Sequence, residues 1–172
     1  MNYKKEYNKL LKKYNQALKE IQDLNTLLKK DFLKNSKVPV LYTDGSFDRS
    51  KQAGSWAFGT KDKIIDCGII TELDGTWQIQ SEVRACINAI KYAEAQGYEK
   101  VIICHDLKGL RNWYEGHWKA NFPSTKELKG LKSQVKVSVS FNWVKGHIGI
   151  EGNELVDSKC EEILKNYEDL TK

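Results

Sequence analysis

The chain has 172 residues, 40% hydrophobic and 30% charged, with a formal net charge of +5 and only two prolines. That length suits one domain with a full core plus some extra helix, and the composition is that of a folded chain and not of a disordered tail. No apolar run approaches the roughly 20 residues that span a bilayer, and MNYKKEYNKLLKKYN lacks the apolar centre of a signal peptide, so a soluble protein of the cytoplasm with no membrane partner is expected.

The positive charge sits at one end. Residues 1–37 hold ten lysines against four acids, while the other 135 residues carry 18 basic and 19 acidic side chains. From Tyr3 to Leu28, apolar residues fall at Tyr3, Tyr7, Leu10, Tyr14, Ala17, Ile21, Leu24 and Leu28, the alternating steps of four and three that make a helical heptad seam. Three uses suit a helix with this seam and a lysine-rich polar face: pairing with a second copy as a homodimer, lying across the rest of the chain, or offering charge to a phosphate backbone. Asn35-Ser36-Lys37-Val38-Pro39 breaks the helix, which divides the chain into residues 1–37, a basic amphipathic helix, and residues 38–172, the main domain.

Val40 to Thr43 reads as a buried strand ending in Asp44-Gly45-Ser46, followed by two further antiparallel strands over 54–59 and 63–71. Ser81 to Gln96 is an amphipathic helix stopped by Gly97. Lys100 to Cys104 is a short apolar strand of the buried parallel type, a helix-rich stretch runs to about Lys132, and an alternating strand spans 135–144. A final helix runs from about Gly152 to Tyr167. Cys67, Cys86, Cys104 and Cys160 show neither a C-x-x-C pair nor His at zinc-ligand spacing, which leaves them as reduced thiols.

Four carboxylates stand where strands end or helices face the sheet. Asp44 closes the first strand, Glu82 lies one residue into the first long helix, Asp106 follows the fourth strand, and Asp157 lies in the last helix. The carboxyl ends of central strands are the usual place for a site in such a sheet. Acids gathered there repel unless hard divalent cations with oxygen ligands offset them. Each acid alone has an ordinary explanation as a turn or cap residue. The run from Lys145 to Asp157, a glycine-rich loop carrying His147 and then a helix start with Asn153, Glu154 and Asp157, sets these residues apart from isolated acids.

Taken together, Tyr42-Thr43-Asp44-Gly45-Ser46, the helix with Glu82, the strand ending at Asp106 and His147-x-Gly-x-x-Gly-Asn153-Glu154-x-x-Asp157 resemble the type 1 ribonuclease H family over about residues 38 to 168. The resemblance implies an α/β fold, a five-stranded mixed sheet of order 3-2-1-4-5 flanked by helices. It implies endonucleolytic hydrolysis of the RNA strand of RNA-DNA hybrids, leaving 5′-phosphate and 3′-hydroxyl ends. By position, Asp44, Glu82, Asp106 and Asp157 resemble the ligands of two Mg²⁺ ions, which Mn²⁺ also suits, and His147 resembles the loop histidine that assists proton transfer or product release. Gly45, Ser46, Gln78 and Asn153 are the candidates for substrate contact, because telling RNA from DNA requires short polar groups or backbone at the 2′-hydroxyl. One departure stands out: family members often carry Asn or Gln both four and three positions before the glutamate, and this chain has Gln78 and Ile79. Two competing readings are a hybrid-binding module without turnover and a related nuclease with another acid arrangement.

Overall fold

The apolar run after Pro39 opens a strand, β1, that continues well past Asp44 in the computed structural model, which describes residues 3–146 and 148–168. Contacts divide the chain into two units, Met1–Lys37 and Val38–Lys172. In the first, α1 is one helix, Tyr3–Asn35, about two turns longer than the seam alone implies. It ends before Pro39, whose ring disfavours helix in the residue preceding it. Same-face pairs four residues apart support it, Gln16 to Glu20 at 2.8 Å and Asn35 to Asp31 at 2.9 Å. Its seam is exposed, with Tyr7, Leu10 and Leu24 each more than half accessible.

The second unit contains β1 (Val40–Asp48), β2 (Ala53–Gly59), β3 (Ile64–Ile70), α2 (Gln78–Ala95), β4 (Lys100–His105), α3 (Leu110–Glu115), α4 (Pro123–Leu131), β5 (Ser138–Trp143) and α5 (Glu151–Asn166). The strands form one sheet in the order β3-β2-β1-β4-β5. The first three pair antiparallel, while β4 lies parallel to both β1 and β5. This is the mixed sheet that the sequence motifs imply.

Alternation along β1 assigns the two faces. Leu41 points into a core built with Val83, Ile87 and Ile90 of α2, Val101 and Ile103 of β4, Leu110 of α3 and Leu128 of α4. Tyr42 points the other way, where Gly152 of α5 rests on its ring. The hydroxyl of Ser55 donates to the main-chain oxygen of Cys160 at 2.9 Å, fixing α5 against β2 on that same face.

Several boundaries differ from the sequence reading, each for a local reason. β1 does not stop at Asp44, because its far half pairs with β2 up to Asp48↔Ala53 after its pairing with β4 has ended at Tyr42↔Cys104. α2 begins at Gln78 and not at Ser81, since the chain turns sharply through Gly75 at φ 89° and Trp77 at φ 49°, and Ile79 N–H already bonds to Thr76 O. Glu82 is therefore in the second turn of its helix. β5 is confined to Ser138–Trp143, because Glu94 binds the preceding amides of Lys136 and Val137, both at 2.8 Å.

Candidate active site

Strand register brings the first two acids side by side. Tyr42 is level with Cys104 in the parallel pair β1 and β4, so Asp44 and Asp106 each lie two residues further along, just where the two strands part. Glu82 reaches them from α2, and ligand atoms of Asp44, Glu82 and Asp106 lie within 4.8 Å of one another. Asp157, in the second turn of α5, approaches from the opposite face, within hydrogen-bonding reach of the Asp44 carboxyl.

Two glycines make the approach close enough. A Cβ on Gly45 would lie 2.3 Å from the main-chain nitrogen of Glu82, so α2 comes down on β1 beside Asp44 only because that position has no side chain. On the other face, a Cβ on Gly152 would lie 2.4 Å from the ring of Tyr42, which seats the first turn of α5 and aims Asp157 at Asp44.

Crowding of these acids has an electrostatic cost. Asp44 and Glu82 are each 7% exposed. Burial, and next the charge of Asp106, push the Asp44 carboxyl up to about 8, with Asp157 adding to the rise. Burial, then Asp106 and Asp44, push Glu82 up to about 9, against a hydrogen bond from Gln78 that favours its ionised form. The groups that shift these two acids include no Lys or Arg. A close cluster of oxygen donors whose mutual repulsion and burial resist ionisation matches what a hard divalent cation requires.

Asp106 is held through its backbone. The indole Nε1–H of Trp143, at the end of β5, donates to its main-chain oxygen at 2.7 Å. Gly146 passes close by, since a Cβ there would stand 3.1 Å from Asp106 Oδ2. Gly149, at φ 73°, donates its N–H to Glu154 Oε1 at 2.6 Å, tying the loop to the first turn of α5. His147, between Gly146 and this tie, lies outside the described residues.

The remaining candidates occupy distinct settings. Ser46 is half-buried on β1, and Gln78 is exposed at the start of α2 next to Glu82. Asn153 is 4% exposed in the first turn of α5, and its Oδ1 has no hydrogen-bond partner among the described residues. Gln80, two residues beyond Gln78, is committed to the fold, accepting from Asp74 N–H and donating to Glu72 O, both at 2.9 Å. His105 is not among the converging ligand atoms; it is buried with its ring edge-on to Phe141, and burial pushes its pKa down to about 4, so it is neutral. Trp113 packs on the core, edge-on to the exposed Trp118 at 5.6 Å. The support that Trp143 gives Asp106 was hidden in the sequence, because it depends on the pairing of β5 with β4.

Comparison with known proteins agrees over this same region. The family described as RNase H matches residues 35–164. A ribonuclease H of a Cyanothece species is 28% identical over 150 residues, covering 77% of this chain and 90% of its own. A ribonuclease H of Neisseria gonorrhoeae is 32% identical over 137 residues, covering 68% of this chain and 88% of its own. Among solved structures, ribonuclease H1 from Halobacterium salinarum aligns with a TM-score of 0.53 at 22% identity, over 74% of this chain and 98% of that one. The N-terminal RNase H domain of a Mycobacterium tuberculosis protein, solved as a fusion with maltose-binding protein, aligns with a TM-score of 0.54 at 16% identity, over 73% and 95%. At these identities the two structures bear on fold alone.

Proposed function

The chain belongs to the ribonuclease H family of hydrolases, and on that premise we propose that it is an endonuclease cutting the RNA strand of RNA-DNA hybrids, with Asp44, Glu82, Asp106 and Asp157 holding two divalent cations. The observation that carries this reading is the convergence of Asp44, Glu82 and Asp106 within 4.8 Å, without a neighbouring Lys or Arg among the groups that shift Asp44 or Glu82. Mg²⁺ is the cation of choice for such an all-oxygen set, and Mn²⁺ suits it too. When bound, a divalent cation supplies positive charge against the phosphodiester oxygens and acidifies a water molecule.

The protein's own groups have separate tasks. The four carboxylates fix where cation and phosphate sit, on rigid strand and helix backbone that keeps the geometry before substrate arrives. His147, which follows Gly146 in the sequence, assists proton transfer or product release in this reading. Gly45, Ser46 and Gln78 line the approach to Asp44 and Glu82 and recognise the ribose 2′-hydroxyl. Asn153, whose buried Oδ1 awaits a donor, orders the backbone near Asp157 or meets the substrate.

Residues 38–172 form the catalytic domain in this reading, and residues 1–37 are an added element. The exposed heptad seam of α1 supports pairing with a second copy, its lysines facing outward where they meet phosphate. The cytoplasm is the proposed compartment, in keeping with free thiols at all four cysteines.

Incubating the full chain with Mg²⁺ and three end-labelled duplexes, hybrid, RNA and DNA, tests the reading. Cleavage confined to the RNA of the hybrid, with fragments extendable by a polymerase from their 3′-hydroxyl ends, is expected. Binding of hybrid without cleavage, or faster cutting of duplex DNA, overturns it.

A further inference from the structure

Helix α1 leaves a long apolar stripe bare. All ten large apolar side chains between Tyr3 and Leu28 are exposed. Together they exceed the patch of roughly 300–600 Å² that a monomer typically carries, which marks the stripe as an interaction surface. Counting Tyr7, Tyr14 and Ile21 as a positions of the heptad makes Leu10, Ala17 and Leu24 the d positions. Lys13 and Glu20 then fall at g, and Leu11 and Leu18 at e.

The two ways of pairing this helix with a second copy differ sharply in fit. In a parallel pair equal positions meet, so Tyr14 faces Tyr14 and, one turn on, Ala17 faces Ala17. An overfull layer would adjoin a nearly empty one, against the even density of packed cores. Each g residue would face the e residue of the next heptad, setting Lys13 on Leu18 and Glu20 on Asn25, with no opposite charges matched. An antiparallel pair about a two-fold axis between Asn15 and Gln16 removes both faults. Tyr14 then meets Ala17 of the partner, Leu10 meets Ile21 and Tyr7 meets Leu24, so that large residues fill the space beside small ones. On one flank g meets g, which brings Lys13 opposite Glu20 twice by symmetry, and on the other flank Leu11 meets Leu18. Gln16 donates to Glu20 Oε1 at 2.8 Å along the same helix and steadies that carboxylate. The charges also fix the register. A slip of one heptad sets Lys13 against Lys13 in one direction and Glu20 against Glu20 in the other.

We propose that two chains join through an antiparallel coiled coil of α1 in this register. The proposal rests on the pairing of α1 with a second copy and adds its direction and its matching charges. Each main domain follows the Asn35 end of its helix, some twenty residues from the axis. The two domains are therefore attached about 60 Å apart, where a parallel coil would attach them about 10 Å apart. Wide attachment leaves each acid cluster its own stretch of nucleic acid.

Charge reversal in the full chain tests the match of Lys13 with Glu20. Lys13→Glu should raise the Kd of the dimer about tenfold at low salt, read by sedimentation equilibrium, because two attractive pairs become repulsive. Charge repulsion in general predicts the opposite sign, since the variant lowers the net positive charge of a helix with ten lysines against four acids over residues 1–37. Mixed one to one, Lys13→Glu and Glu20→Lys chains should recover the wild-type affinity as a heterodimer. Cross-linking reads the direction. Leu10→Cys and Ile21→Cys chains, each also carrying Cys67→Ser and tags of different length, should form the mixed disulfide when oxidised together by glutathione disulfide. Linkage of each variant only to itself overturns the antiparallel arrangement. So does a dimer that forms no cross-link, or a Lys13→Glu dimer as tight as the wild type. A wild-type chain that sediments as a monomer defeats the pairing itself.

Discussion

Gly45 and Glu82 are in contact through their backbones: a Cβ added to Gly45 would sit 2.3 Å from the Glu82 nitrogen and equally near the Ser81 carbonyl carbon. The strand that carries Asp44 and the helix that carries Glu82 are therefore brought together by the absence of a side chain. Gly45→Ala must push α2 outward, and overpacking of this kind costs about 1–3 kcal/mol. Denaturant titration should show that loss. The stabilisation of the protein by Mg²⁺ should shrink as well, because Glu82 moves away from its partners. A variant as stable as the wild type with undiminished response to Mg²⁺ would separate the packing from the site.

The acids make a prediction about pH. The folded pKa values of Asp44 and Glu82 are raised to about 8 and about 9, whereas in the unfolded chain both titrate near 4. Between these limits the native protein binds more protons than the unfolded one, so the metal-free protein loses stability as pH rises from about 4 to about 9. Cation binding releases those protons, so the gain in melting temperature from Mg²⁺ should grow over the same interval. Asp44→Asn, with one charge fewer to crowd, should melt higher than the wild type at pH 9 without metal. A metal-free stability that climbs with pH would contradict the electrostatic account.

Trp143 makes a different kind of claim, since its indole hydrogen-bonds the main chain of Asp106. Trp143→Phe keeps an aromatic ring and deletes the 2.7 Å hydrogen bond. About 1 kcal/mol of stability should be lost, and kcat should fall on the order of ten- to hundredfold through misplacement of Asp106. Steady-state kinetics on a hybrid would read this directly, and unchanged kcat would leave Trp143 a surface aromatic.

The N-terminal helix is testable apart from catalysis. Leu10 and Leu24 lie on the heptad seam of α1 and are 66% and 59% exposed. If the seam pairs two copies, the full chain should sediment as a dimer and the double variant Leu10→Glu, Leu24→Glu as a monomer. Salt dependence of hybrid binding should persist in the variant, because the lysines are untouched. A monomeric wild type would remove pairing.

Much of the fold was legible because its signals are local. The apolar run at Val40, the amphipathic helix around Val83 and Ile90 and the short buried strand at Val101 to Cys104 each declare themselves over a few residues. Asp44, Glu82 and Asp157 could be singled out from their flanking motifs and Asp106 from its place after the fourth strand, and the register Tyr42↔Cys104 explains why Asp44 and Asp106 lie together. What sequence reading missed depends on partners distant in the chain. The continuation of β1 to Asp48 is set by β2, the early start of α2 by the braced turn at Trp77, and the contact of Trp143 with Asp106 by the pairing of β4 with β5. Gly45, expected as a substrate contact, also lets α2 come down on β1, which its sequence context did not reveal.

The most direct test of the central claim is the rate at which Asp44→Asn cleaves a uniformly labelled RNA-DNA hybrid in Mg²⁺, beside the wild type. Asparagine preserves the size of the side chain and removes the charge that makes it a cation ligand. The rate should fall by on the order of a thousandfold or more while hybrid binding is retained. Cleavage at close to the wild-type rate would contradict a mechanism built on these four carboxylates.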